Sequence, residues 1–170
     1  MQAAAYEHVQ ESLVNLAGKY LTFRLGQEDY GLEILQVQEI IGMQEITGIP
    51  RTPDFVKGVI NLRGKVIPVV DLRLKFDMDE VEVSRKTCII VVQISQEAEK
   101  VIMGIVVDEV SEVLEIGAQE IEPAPAFGTH INTSFIQGMA KIENAVKILL
   151  DIDKIMSENE MTALLKSATN

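Results

Sequence analysis

The sequence predicts an all-β fold made of two similar small barrels of about five strands each, and three observations carry that prediction. Strand-like alternation with β-forming residues recurs along the chain. Turns and a Pro-rich bend separate these runs. The chain also repeats itself: residues 55–76 lie on residues 135–156 without a gap, with Phe55 on Phe135. Small barrels remove the exposed edges that such short strands would otherwise carry.

The elements follow in order. Residues 1–18 are weakly patterned and end at Gly18, which reads as a mobile arm with a helical tendency over residues 7–16. YLTFRL at 20–25 alternates and is rich in β-formers. Gly26-Gln-Glu-Asp29 reads as a hairpin turn. Residues 30–41 are read as one strand, although VQEII at 37–41 also carries a helical pattern. Residues 30–40 then lie on residues 103–113, with Gly31 on Gly104. The bend IPRTPDF at 49–55 corresponds to a longer stretch over 121–135, so the two aligned blocks have different offsets. One unit (strand, turn, strand, Pro-rich bend, strand, hairpin, strand, short cap) therefore occurs twice. The expected organisation is an arm over 1–18, a first barrel half over 19–83, a second over 84–156 and a C-terminal helix over 157–170. Ser157 and Glu160 form an S-x-x-E capping box at the start of that helix, with Met161, Leu164 and Leu165 on one face.

Composition narrows the function. The chain has 170 residues, is 47% apolar and carries a net charge of −11. That is enough apolar surface for a core. So acidic a chain offers little to a nucleic-acid backbone or an anionic membrane, both of which attract Lys and Arg. No run reaches transmembrane length, and the first residues lack the basic and apolar regions of a secretory signal. The single cysteine, Cys88, fits a reducing cytosol and reads as a small buried hydrophobe.

Because the unit is duplicated, each residue can be compared with its own counterpart. GVINLRGKV at 58–66 superficially resembles a phosphate loop. Yet five residues separate Gly58 from Gly64, Val66 stands where a hydroxyl is needed, and Pro68 follows where a helix should open. Gly64 faces Asn144, and both types tolerate the positive φ of a tight turn. Asp71 faces Asp151, each at a strand end, where a carboxylate accepts backbone N–H bonds and starts a helical turn. Gly58 faces Gly138, which suggests a bend or a close backbone approach. Pro68 faces Ile148, so its strand is expected to be irregular or at an edge there. Arg63 faces Glu143, so the turn forms with either sign of charge. Arg63 is left as a contact for an acidic or carbonyl-rich partner, or as a solvated surface cation.

Catalysis finds little support. Asp71-Leu-Arg and Asp151-Ile-Asp lack the D-T/S-G context of a two-carboxylate protease. His8 and His130 stand apart from any nucleophile, and no His or Cys ligand spacing occurs. Asp108-Glu109 reads as a solvent-facing pair on a strand. No catalysis, metal or cofactor is expected.

The segments YGLEILQVQEI, FVKGVINLRGKVIPVVDLRLKF, IMGIVVDEVSEV and ILLDIDKIM, in that order and spacing, resemble the CheW-type coupling proteins of bacterial chemotaxis. The resemblance runs from about Lys19 to the C-terminus. The regulatory domain of the CheA histidine kinase is similar too, but without kinase or phosphotransfer segments the free-standing adaptor is the better match. Arg51 departs from the family, which often has Asn in its I-P-N-x-P bend.

The resemblance implies a non-catalytic cytoplasmic adaptor with two five-stranded SH3-like β-barrels. It would bridge the cytoplasmic tip of methyl-accepting receptors to CheA. It implies a protein monomeric alone and assembled in arrays, with no nucleic-acid or direct membrane binding. Carried over residue by residue, the receptor-binding positions are Val37, Glu39, Gly58, Arg63, Cys88 and Val110. The kinase-binding positions are Ile41, Met43, Ile46 and Ile49 on the first barrel and Phe127 in the second copy's insert. Phe127 reads equally as an exposed anchor or as a cap on the second core. A scaffold of the same family in another chemosensory pathway is the alternative.

Overall fold

The computed structural model describes residues 16–96, 99–125, 133–157 and 159–162. The helical tendency over 7–16, Phe127, and Leu164 and Leu165 of the helix face therefore lie outside the described residues, apart from Leu16. Eleven strands are described: β1 (Gly18–Leu25), β2 (Glu28–Glu33), β3 (Val37–Gly42), β4 (Val56–Leu62), β5 (Lys65–Asp71), β6 (Cys88–Gln96), β7 (Glu99–Val107), β8 (Glu109–Ile116), β9 (Ile121–Glu122), β10 (Ile136–Ile142) and β11 (Ala145–Leu150). A four-residue helix, α1 (Leu72–Lys75), follows β5.

The strands form two sheets. One has six strands in the order β8-β1-β2-β11-β10-β9, the other five in the order β3-β6-β7-β5-β4. The chain is thus mostly β, but neither sheet closes on itself, so the expected pair of closed five-stranded barrels is corrected to two open sheets. The sixth strand has a local origin. β9 pairs with β10 through Met139 and Ala140, whereas the equivalent contact in the first copy is the single bridge Thr47–Val59.

Sheet membership does not follow chain order. The β1–β2 hairpin joins the sheet containing β8–β11, and β6–β7 joins the one containing β3–β5. A boundary at residue 84 separates the two copies of the sequence but not the two sheets. The exchange is reciprocal to the residue. Val69 of β5 pairs in parallel with Gly104 of β7, and Leu149 of β11 pairs in parallel with Gly31 of β2. Val69 and Leu149 are counterparts in the repeat, and so are Gly31 and Gly104.

Strand alternation distributes the core over three clusters. Leu21, Phe23 and Leu25 of β1 and Ile90, Val92 and Ile94 of β6 meet between the sheets. Ile89 and Val91, on the other face of β6, pack with Ile60, Ile67, Val69 and Val106 inside the five-stranded sheet. Tyr20, on the other face of β1, packs with Ile116, Ile121, Ala140 and Leu149 inside the six-stranded one. Each sheet therefore has an apolar interior of its own and shares a larger one.

Local chemistry explains the connections. Residues 30–41 are not one strand: a 3-10 turn at Ile34–Gln36 interrupts them as the chain crosses from one sheet to the other. Asp71 caps α1, its carboxylate accepting from Arg73 N–H at 2.9 Å, and Asp151 accepts from Asp153 N–H at 3.1 Å. Pro68 lies in β5, an interior strand, paired with Val59 of β4. The parallel ladder with β7 begins only at Val69, whereas the equivalent ladder of β11 begins earlier in the repeat, at Lys147. Pro68 thus sits where β5 has a neighbour on one side. The capping box forms as read: Glu160 N–H donates to Ser157 Oγ at 3.1 Å, and Ser157 N–H donates to Glu160 Oε1 at 2.8 Å. Met161 is buried in the inter-sheet cluster. Arg51 takes φ 64, a conformation that Asn adopts more readily than Arg.

Candidate functional site: an ion pair, a backbone crossing and an apolar seam

Arg63 and Gly64 form the tip of the β4–β5 hairpin with φ 51 and 88, and Glu143 and Asn144 form the equivalent tip with φ 50 and 67. Two consecutive positive φ values mark the turn that matches strand twist. Asn61 supports the first tip by accepting Gly64 N–H at 2.8 Å. The Arg63 side chain then reaches Glu39 of β3 in a two-pronged contact, Nη1 to Oε1 at 2.8 Å and Nη2 to Oε2 at 2.5 Å. This hydrogen bonding holds the Glu39 carboxyl below its ordinary pKa. β3 and β4 are the two edges of their sheet, so the pair ties one edge to the hairpin of the other. The sheet must curl around its interior for that to happen. At the equivalent positions the repeat has Glu112 and Glu143, which cannot pair.

Gly58 stands at a backbone crossing. Its φ is +139, and an added Cβ would lie 2.0 Å from the Thr47 carbonyl oxygen. Thr47 and Val59 exchange two backbone hydrogen bonds of 2.9 Å beside it. Gly138 makes the equivalent approach more loosely, its Cβ position 2.9 Å from Ile121 Cγ2 and 3.1 Å from Glu122 O. Both copies need glycine because a second segment passes over the strand.

Val37, Cys88 and Val110 all border the core shared by the two sheets, but not at one place: Cys88 is hydrogen-bonded to the Val110 backbone of the other sheet, whereas Val37 pairs with Val92, at the opposite end of the β3–β6 ladder from Cys88 and its partner Gly42. All three are half-buried against the inter-sheet cluster. Val37 opens β3, Cys88 opens β6, and Val110 lies near the start of β8, in the other sheet. Burial pushes the Cys88 thiol above its ordinary pKa, against a hydrogen bond from the Val110 backbone that pulls it down. The six positions expected to meet a receptor therefore fall at a contact between the sheets (Cys88 and Val110), farther along the shared core (Val37), at an ion pair beside the interior of the five-stranded sheet, and at a backbone crossing.

The positions expected to meet the kinase run along the end of β3 and the segment after it. Ile41, Met43 and Ile46 pack half-buried on the interior of the five-stranded sheet, and Ile49 is also half-buried. A groove of about 360 Å³ lies beside them between residues 44–47 and the β4–β5 hairpin. Ile40 and Val66 are exposed nearby.

Sequence reasoning missed a well-enclosed ion pair. Asp108 is not a solvent-facing strand residue: it lies between β7 and β8 and accepts from Arg73 Nε and Nη2, both at 2.7 Å, and from Gly26 N–H at 2.8 Å. Burial alone would raise the Asp108 pKa, but the Arg73 guanidinium and the Gly26 N–H hold it below the ordinary range. The signal was an Arg two positions after a capping Asp, which is invisible without the fold. A second cleft, about 790 Å³, is lined by Tyr30, Phe76 and Phe135, with Lys75 and Glu160 joined across its rim at 2.8 Å. Phe23, Tyr30, Phe76 and Phe135 stack in series at 5.2–5.8 Å. Among the described residues no group of three or more His, Cys, Asp or Glu side chains is placed to hold a metal ion, and no helix is long and apolar enough to cross a membrane.

Two open sheets thus share one apolar core, with ion pairs tying their turns and edges. The family model for the CheW-like domain matches residues 19–160, and the chain belongs to that family. A chemotaxis protein CheW from Klebsiella aerogenes is 44% identical over 143 residues, covering 84% of each chain. One from Rhizobium meliloti is 32% identical over 151 residues, covering 89% of this chain and 95% of the relative. The crystal structure of the scaffolding protein TtCheW from Thermoanaerobacter tengcongensis superimposes with a TM-score of 0.74 at 39% identity, covering 85% of this chain and 96% of that one.

Proposed function

We propose that this chain is a non-catalytic adaptor that couples methyl-accepting chemotaxis receptors to the CheA histidine kinase in the cytoplasm. The observation that carries the reading is the apolar border between the two sheets, where Cys88 of one meets Val110 of the other and Val37 lies farther along the same shared core. Val37 and Val110 are equivalent positions of the repeat. A helical receptor tip laid along such a seam would cover apolar side chains that a lone sheet could not present together. The Arg63–Glu39 pair borders the same sheet and leaves Arg63 largely exposed, able to exchange Glu39 for a carboxylate or carbonyl of a partner. The kinase regulatory domain would meet Ile41, Met43, Ile46 and Ile49 beside the 360 Å³ groove, with Phe127 as a second contact.

The reciprocal registers Val69–Gly104 and Leu149–Gly31 support descent of 19–83 and 84–156 from one duplicated SH3-like unit whose first hairpin is exchanged between copies. The arm at 1–18 and the helix over 157–170 would flank these units. Alone the protein would be a monomer, assembling with its partners into arrays.

The test is binding of wild type, Arg63→Glu and Phe127→Ala to a soluble receptor-tip fragment and to the CheA regulatory domain. Wild type binds both. Arg63→Glu places like charges at Glu39 and lowers receptor binding while the fold persists, because Glu143 serves the equivalent turn. Unfolding of that variant would overturn the assignment of Arg63 to contact, and absence of wild-type binding to either partner would overturn the adaptor reading.

A further inference from the structure

The chain crosses between its sheets at two equivalent places of the repeat, and the two crossings are built differently. The first, from β2 to β3, is the 3-10 turn Ile34–Gln36. Glu33 provides no side-chain cap, Leu35 is 94% exposed, and Gln36 Oε1 is buried without a hydrogen-bond partner among the described residues. The second, from β7 to β8, is Asp108 alone, the counterpart of Leu35 in the repeat.

Asp108 is tied from three elements. Arg73 of α1 grips both carboxylate oxygens at 2.7 Å. Gly26, in the β1–β2 turn, donates to Oδ2 at 2.8 Å. The Asp108 N–H donates to Arg24 O at 3.1 Å. Arg73 is itself fixed, donating from Nη1 to Asp79 O at 3.0 Å. The Arg73 and Asp108 side chains are 14% and 25% exposed, so water weakens the pair far less than it does the open Lys86–Glu109 contact. A planar two-pronged grip fixes direction as well as distance. Val110 follows shortly after and pairs with Phe23 of β1. Val37, its counterpart, directly follows the first crossing, where no such side-chain clamp is present among the described residues.

We propose that Arg73 is a positioning residue for receptor binding: through Asp108 it fixes the β7–β8 crossing and so holds Val110 in register with Phe23, a clamp that Val37, after the other crossing, lacks among the described residues. This rests on the receptor-coupling reading above. Neither Arg73 nor Asp108 is among the receptor or kinase positions, but Met43 lines the same small cleft as both, so the kinase titration is the control that separates an effect through Val110 from one through Met43.

The test uses the full chain with Arg73→Met, Asp108→Asn, the double variant and Arg73→Lys, titrated with a soluble receptor-tip fragment and, in parallel, with the CheA regulatory domain. Each single change raises the receptor Kd, roughly three- to thirty-fold, the range of couplings carried through a packed network. Kinase-domain affinity stays at the wild-type value. The double variant is no worse than either single, as expected for two groups acting as one unit, and Arg73→Lys, which keeps one contact, falls between. Unchanged receptor affinity in both single variants overturns the proposal. So does a parallel loss of both partners that tracks a lowered melting transition, since that is a purely structural role. If wild type binds the kinase domain but no receptor fragment, the coupling reading itself fails, and this proposal falls with it.

Discussion

Replacing Gly58 with Ala should be among the most damaging single-methyl changes in this protein, and Gly138→Ala serves as its internal control. At Gly58 two costs add. The residue holds φ +139, a conformation that costs an L side chain about 1–3 kcal/mol. Its Cβ would also stand 2.0 Å from the Thr47 carbonyl oxygen. That atom is backbone and cannot rotate away, so the crossing segment must lift. Lifting it breaks the two Thr47–Val59 hydrogen bonds of 2.9 Å, together worth about 2 kcal/mol. The sum is about 3–5 kcal/mol, a large share of the roughly 5–15 kcal/mol that holds a typical domain folded. At Gly138 the nearest atom is a methyl of Ile121 at 2.9 Å, which turns aside more easily, the Glu122 carbonyl oxygen at 3.1 Å needs to give only a few tenths of an ångström, and no positive φ is imposed. The expected cost there is about 1–2 kcal/mol. Equilibrium urea unfolding of both variants, with the slope checked for constancy, measures the difference. Equal costs, or a Gly58→Ala cost smaller than the strain of its φ alone, would refute the argument that a rigid backbone crossing makes Gly58 indispensable.

Two further outcomes are expected. Arg51→Asn should stabilise the protein by about 0.5–1 kcal/mol, because φ 64 strains Arg and suits Asn; an unchanged urea midpoint would show that the bend carries no such strain. Glu33→Gln should stabilise at neutral pH. Burial first, and then Asp151 and Asp153, raise the Glu33 pKa above its ordinary value of 4.5. The folded chain therefore holds that proton more tightly than the unfolded one, and wild type gains stability as pH falls through the raised pKa toward 4.5. The advantage of Gln over Glu should accordingly be greatest at neutral pH and shrink on acidification; urea midpoints at several pH values would expose the opposite trend.

Much of the architecture was legible because β chemistry is local and the duplication supplied a second copy. Gly64 and Asn144 were readable as turn residues because a tight hairpin admits few residue types with positive φ. Asp71 and Asp151 were readable as caps because a carboxylate at a strand end meets free N–H groups wherever the chain then turns. Gly58 was legible as a close approach, but not what approached it: Thr47 is distant from the strand in any local sense until the Pro-rich segment folds back. Asp108 was misread because its partners, Arg73 and Gly26, are 35 and 82 positions away along the chain. Nothing near it in the sequence distinguishes a gripped carboxylate from a solvated one.

By itself, then, the sequence determined most of the strands and turns, the repeat and the family, all of which depend on residue type, spacing and order, but not the break at Ile34–Gln36. Only the tertiary structure decided which strands became neighbours. The repeat predicts two equal units, and a unit keeping its own first hairpin would show the same alternation and turns as one that exchanges it. Parallel pairing of Val69 with Gly104 and of Leu149 with Gly31 settles that choice, because Gly31 and Gly104 leave room for an adjacent strand's side chains, Leu149 and Val69 among them. From that exchange follow the meeting of Cys88 and Val110 between the sheets, the reach of Arg63 to Glu39 across two sheet edges, and the grip of Arg73 on the crossing before Val110. Each joins residues far apart along the chain, where no periodicity records the contact.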